Sequence, residues 1–201
     1  WHYHDPFFQE TPLVYDVDLD SYYEDKDVKE LATEFFVGIG MPVESILANS
    51  DLYERAGKNP HAFCTDIDRE GDVRILCNLR NNETWMETML HELGHAVYDK
   101  YIDHQMPWIL RKPPHSLTTE AIAIMMGSLA NDRRWLSDVL QVPDDVADQL
   151  AQHSLEQERA RGLTFTRWCL VMTNFERSMY GDPEGDLNKV WWDLVERYQL
   201  L

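Results

Sequence analysis

Basic residues are scarce in this sequence: 18 Lys and Arg stand against 36 Asp and Glu, giving a formal charge of -18 over 201 residues. That balance excludes nucleic acid and anionic membrane surfaces as expected partners, because both are held by basic patches. Cysteine is also sparse. Cys64, Cys77 and Cys169 are odd in number, widely spaced and outside any C-x-x-C pattern, which argues against a disulfide framework or a thiolate zinc site. Each reads more simply as a small buried apolar residue. No apolar run approaches the roughly 18 residues of a membrane-spanning helix, and no signal-peptide pattern opens the chain. The first residue is Trp1 rather than Met, which leaves room for an upstream segment. The resulting expectation is a soluble protein of a reducing, cytoplasmic compartment. The length suffices for one domain, or two small ones, without covalent staples.

The pattern that is present is mainly helical. Residues 1–26 carry aromatics, acids and two prolines without helical periodicity and read as an extended arm. From Asp27, a cap, the apolar residues Val28, Leu31, Phe35 and Phe36 follow at helical spacing, with Gly38 or Gly40 as the stop and a short helix after Pro42. "HAFCTDI" and "DVRILCNL", separated by "DREG", read as an antiparallel hairpin over 61–78. Asn81 or Asn82 then caps a buried helix reaching about Ile102, with Met86, Leu90, Leu93 and Val97 along it. A loop marked by Pro107, Pro113 and Pro114 leads to a second buried helix from Ser116–Thr118, so that 83–130 form a helical pair. The remainder, 143–201, reads as helices, one closing at Gly162 and the next at Gly181. In the last of these, Leu187, Val190, Trp191, Leu194, Val195 and Tyr198 share a face that calls for burial.

The first buried helix holds "HELGH", residues 91–95. Two histidines four apart lie on one helix face, so His91 and His95 can reach a single ion, with Glu92 beside them. A catalytic zinc takes three protein ligands and keeps one position open. The candidate third ligand is Glu120, the only acid between Ser116 and Leu129; a buried carboxylate is costly unless a cation satisfies it. Without a metal, Glu120 would be a first-turn acid favoured by the helix dipole. Glu92 fits a general base acting on a zinc-held water, and the reaction class is metal-assisted amide hydrolysis with one Zn2+ per chain. His2 and His4, and the isolated His104, His115 and His153, carry no motif. "DVDLD", "DPEGD" and "DIDREGD" lack the ligand series of an EF-hand loop.

"HELGHAVYDKYID" followed by "TTEAIAIMMG", and preceded by "HAFCTDIDREGDVRILCN", resembles the angiotensin-converting-enzyme family of zinc peptidases and the related thimet-oligopeptidase group. "FTRWCLVMTNFERSMYGDPEGDLNKVWWDLVERYQ" looks even more like the first of these, so the resemblance runs from about His61 to Gln199. It implies a helical gluzincin-type zinc peptidase core, a mainly α fold with a small antiparallel β-hairpin. It also implies a peptidyl-dipeptidase or oligopeptidase acting on oligopeptides, with His91, His95 and Glu120 as ligands and Glu92 as base. In the family a His-Ala pair ahead of the zinc helix lies along the substrate backbone; His61 and Ala62 match it, and strand addition would give the hairpin edge that role. Read without the family, His61 is an ordinary histidine at a strand entrance.

Three departures from the family pattern stand out. Ile124 occupies the place of an aspartate that supports a ligand in the angiotensin-converting enzymes, so that support must come from elsewhere. Pro60 stands where the disulfide partner of Cys77 would be, so Cys77 is expected to be free. The family's His and Tyr oxyanion donors lie beyond Leu201, so the expectation is one catalytic-core region, 1–201, of a longer peptidase. The terminal helix would then be covered by the remainder of that chain or by a second copy. The alternatives are a zinc-binding but catalytically incompetent peptide-binding module and a metal-free helical interaction protein.

Overall fold

The computed structural model describes residues 18–200, and these divide into two compact units, 18–148 and 149–200. Most of the expected arm lies outside the described residues. Its last part, 18–26, is not extended: Asp18 caps a 3-10 turn, Leu19–Tyr22, by accepting from Asp20 N–H at 3.0 Å. Tyr23 then anchors the segment, fully buried, with its hydroxyl accepting from Trp135 Nε1 at 3.2 Å.

Helix α1, Val28–Gly38, starts as its sequence predicts, Asp27 Oδ1 accepting from the N–H of Lys29 at 2.8 Å and of Glu30 at 3.3 Å. It buries Val28, Ala32 and Phe36 and is stopped by Gly40, whose φ of +79° only glycine adopts at no steric cost. The short α2, Glu44–Ala48, follows. Strands β1, Phe63–Asp66, and β2, Val73–Leu76, pair antiparallel with Phe63 opposite Leu76 and Asp66 opposite Val73, as the hairpin reading requires. The turn between them is organised by Asp66 and Asp68, whose carboxylates accept from the N–H of Arg69 and of Glu70 at 2.8 Å each.

Helix α3, Glu83–Lys100, is capped by Asn82, which accepts from Trp85 N–H at 3.0 Å. Met86, Met89, Leu90, Leu93 and Ala96 are fully buried, so this helix is the spine of the core. Helix α4, Ser116–Ser128, packs along it but is buried on one face only, through Ala123, Met126 and Gly127. Leu117, Ile124 and Met125 face outward, which corrects the expectation of a buried helix. A π-type turn, Trp135–Val139, closes this unit's core with Trp135 and Leu136.

The largest difference from the sequence reading is α5, Asp144–Gly181, which is continuous where a stop was expected at Gly162. A glycine inside a helix costs about 1 kcal/mol relative to alanine, which does not end a helix when no proline follows and the backbone bonds continue. Thr166 even donates back to the Gly162 carbonyl at 2.7 Å. Helix α6, Leu187–Gln199, is capped by Asp186 and lies against α5 through Phe175 and Trp191, rings 5.1 Å apart and edge to face. Of the apolar residues of α5, Val171 is fully buried, whereas Phe165 and Met172 are exposed. Among the described residues no helix is long and apolar enough to cross a membrane.

Candidate functional site

The four-residue spacing of His91 and His95 on α3 sets their rings 4.9 Å apart on one face. Glu120, on the second turn of α4, meets both: its Oε1 lies 3.6 Å from His91 Nε2 and its Oε2 3.3 Å from His95 Nε2. What allows this approach is the fourth motif residue, Gly94. A Cβ at Gly94 would fall 2.9 Å from Ala123 Cα and 3.2 Å from Met126 Cβ, so the two helices touch where α3 has no side chain. Gly127 repeats the device from α4, where a Cβ would lie 3.3 Å from His91 Cβ. The start of α4 is fixed by His115, whose Nδ1 accepts from Leu117 N–H at 2.9 Å and so serves as a cap.

These three side chains offer ligand atoms within 4.8 Å of one another. His95 Nδ1 is taken by Thr119 Oγ1 at 2.7 Å. The tautomer sets the roles in that contact: in the one in which Nδ1–H donates to Thr119, Nε2 turns a lone pair toward the Glu120 carboxylate, an arrangement that a cation between them relieves. Ligands of a tetrahedral zinc, bound at about 2.0–2.1 Å, lie about 3.3 Å from one another, and two imidazoles with one carboxylate are an open catalytic donor set. The residues present therefore fit zinc. Thr119 is the partner that His95 has where the Ile124 departure offers no carboxylate. The burial argument for Glu120, by contrast, does not hold: its side chain is 51 % exposed. Its claim as a ligand rests on what it faces.

Glu92 is buried, and that burial, followed by the charge of Glu120, pushes its carboxyl up to about 7. Burial, opposed by Glu120, lowers His91, which favours the neutral ring that a metal needs. The cavity over these groups, of about 390 Å3, is walled by Ala62, Phe63 and Cys64 on one side and by Pro113 and Thr119 on another. Asp99, two turns after His91 on the same stripe, closes it. Ala62 is thus in the wall, as expected, whereas His61 is exposed and not among the lining residues; its N–H is taken by Asn59 Oδ1 at 2.9 Å. Ile67 N–H donates to Asp72 O at 2.9 Å, so by the alternation of an antiparallel pair Phe63 and Thr65 bond to β2, and the backbone of Ala62 and Cys64 points to the free edge.

The approach to that edge is tied down by Lys58. Its buried ammonium donates to the Asp51 carbonyl at 2.9 Å, Asp51 Oδ1 at 3.0 Å, the Tyr53 carbonyl at 2.9 Å and the Cys77 carbonyl. The same ammonium holds the Asp51 carboxyl below the usual range. Asn78 completes the clamp by donating to the Asn59 carbonyl at 3.0 Å. Cys77 is free, as expected, and burial pushes its thiol up to about 12. Sequence reasoning missed Thr119, Lys58, Asp99 and the capping role of His115. Of these, Asp99 carried a signal, the four-residue spacing of 91, 95 and 99.

Residues 41–201 match the model of peptidase family M3. Among curated proteins the chain is similar to oligopeptidase PepF of Bacillus subtilis (strain 168), 25% identical over 206 residues that cover 94% of this chain and 28% of that protein. The chain thus spans less than a third of the length of this relative. The coarse expectation, a metallopeptidase family, holds: the match is to family M3 and to an oligopeptidase.

Proposed function

Because the chain belongs to peptidase family M3, we propose that it forms the zinc-holding core of a metallopeptidase that hydrolyses oligopeptides. The observation that carries this reading is the convergence of His91, His95 and Glu120, with Glu92 buried beside them. His91 Nε2, His95 Nε2 and the Glu120 carboxylate would hold the ion. When bound, zinc supplies a positive charge that polarises a carbonyl and makes water more acidic. Glu92 takes the proton from the attacking water on a carboxylate oxygen and returns it to the departing amide nitrogen. Its burial raises its basicity enough to hold that proton between the two transfers. Thr119 keeps His95 in the tautomer and orientation that leave Nε2 free. The outward backbone groups of Ala62 and Cys64 take an extended peptide as an added strand and lay the scissile bond over α3. His61, its N–H engaged with Asn59, shapes the entrance to that strand.

A second reading, a module that holds zinc and peptide without cleaving, is favoured by one observation. Among the described residues that wall the cavity there is no tyrosine and no histidine besides His91 and His95 to serve as a separate oxyanion donor. The test is zinc per chain after gel filtration for the wild type and Glu120→Gln, together with hydrolysis of a quenched peptide before and after chelation. About one zinc in the wild type, little in the variant and chelator-sensitive cleavage are expected. Equal zinc in both proteins would remove Glu120 from the ligand set; zinc without cleavage would leave the second reading.

A further inference from the structure

The wall of the cavity beyond the three ligands contains a carboxylate for which the chemistry above has no use. Asp99 lies one turn past His95, and its Oδ1 is fully buried with no hydrogen-bond partner. An ionised oxygen in that state is expensive to keep, and a native protein that keeps one usually reserves it for something that arrives. The charge around it sets the sign of a suitable partner. Asp66, on β1, adds a second negative charge, and Cys64 beside them is a thiol that burial holds protonated; none of the groups that act on Asp99 electrostatically is a cation. Among the described residues His91, His95 and Glu120 converge closely enough to hold a metal, whereas Asp99, Asp66 and Cys64 do not, so these three do not build a second metal centre.

We propose that Asp99 is a specificity-determining residue that receives a basic side chain, the guanidinium or ammonium of an Arg or Lys, from the peptide lying along β1. The inference rests on the peptidase reading of the cavity. The distances suit it: Asp99 lies about 9 Å along α3 from the midpoint of the two histidines, at 1.5 Å per residue. An extended peptide advances about 3.3 Å per residue, so the side chain belongs to a residue within about three positions of the scissile bond. Arginine presents paired donors that match a carboxylate, and such a charge-assisted contact in a desolvated wall discriminates strongly against a neutral isostere.

The experiment measures binding instead of turnover, so that it does not depend on catalysis. In a Glu92→Gln background with zinc supplied, peptides carrying arginine or its neutral isostere citrulline at each of three positions on either side of the bond are titrated by calorimetry. At one position arginine is expected to bind about tenfold or more tighter than citrulline. Asp99→Asn abolishes that gain without weakening the citrulline peptides, and Asp99→Glu keeps part of it. Citrulline and arginine peptides that bind equally at every position, or an arginine gain that survives Asp99→Asn, would overturn the role of Asp99 while leaving the peptide cleft intact. Failure of every peptide to bind would overturn the peptidase reading and this inference with it.

Discussion

The helix pairs α3–α4 and α5–α6 are built to different standards. Between α3 and α4, Gly94 and Gly127 bring backbones together so closely that a single added Cβ meets main-chain atoms at 2.9–3.3 Å. In α5 the only interior glycine before its end, Gly162, has nothing within 4 Å, and Leu163, Phe165 and Leu170 around it are exposed. On the proposed reading the first pair has to hold three ligands from two helices; the second carries no such group. Close packing here follows the geometric demand of the site, not helix length or apolar content, since α5 is the longest helix in the chain.

If that contrast is real, polar substitutions in the two pairs must differ in kind. The largest effect belongs to Glu92→Gln, which preserves shape and removes the base: peptide hydrolysis falls by about 10²–10⁴, with zinc per chain unchanged. A single kinetic comparison with metal analysis checks it, and zinc lost along with activity would show that Glu92 acts as a ligand. Next is Thr119→Val, which leaves His95 Nδ1 without its partner and weakens zinc binding by about 10–100-fold in a competitive chelator titration. The matched change in the other pair, Thr164→Val, removes a buried hydroxyl that bonds only within α5, to Arg161 O at 2.9 Å, and is expected to leave zinc affinity unchanged.

The same contrast explains what could be read before any coordinates. His91, His95 and Glu92 were legible because the period of a helix dictates their geometry, and Glu120 because one acid stood in an apolar helix of the right separation. The caps at Asp27 and Asn82 and the hairpin were legible for the same local reason. Thr119 and Lys58 were not: their roles depend on which side chain lies across a gap, and neither spacing nor composition encodes that. His115 carried no motif, and here it does what an asparagine would do at a helix start. Gly162 misled in the opposite sense. It was read as punctuation, whereas the glycine with consequences was Gly94, hidden inside the motif.

A smaller effect concerns pH. Burial, with Asp66 adding to it, pushes Asp99 up to about 6 from its ordinary 3.8. The folded chain therefore binds more protons than the unfolded one between these values. The stability that Asp99 contributes is complete below about pH 4 and is lost as pH rises through 6, by up to about 3 kcal/mol. Asp99→Asn removes the dependence, so its melting temperature should exceed that of the metal-free wild type by a margin that grows from pH 4 to pH 7. Glu92 titrates with the same sign in both proteins and cancels in the difference.

The most direct way to break the comparison is also the smallest in chemical terms: one methyl group added in each pair. Gly94→Ala drives a Cβ into the backbone of Ala123, which cannot withdraw without moving α4, and overpacking of this kind costs about 1–3 kcal/mol. Because α4 carries Glu120, the displacement also shows as weaker zinc binding. Gly162→Ala meets open space in a helix of ordinary dihedrals and should stabilise the chain by about 0.4–1 kcal/mol through the unfolded state. Urea unfolding of both variants reads the two signs in one experiment. Equal effects would mean that the glycine within HELGH is incidental; opposite signs, with zinc weakened only by the first, would mean that the motif specifies an interface as well as a set of ligands.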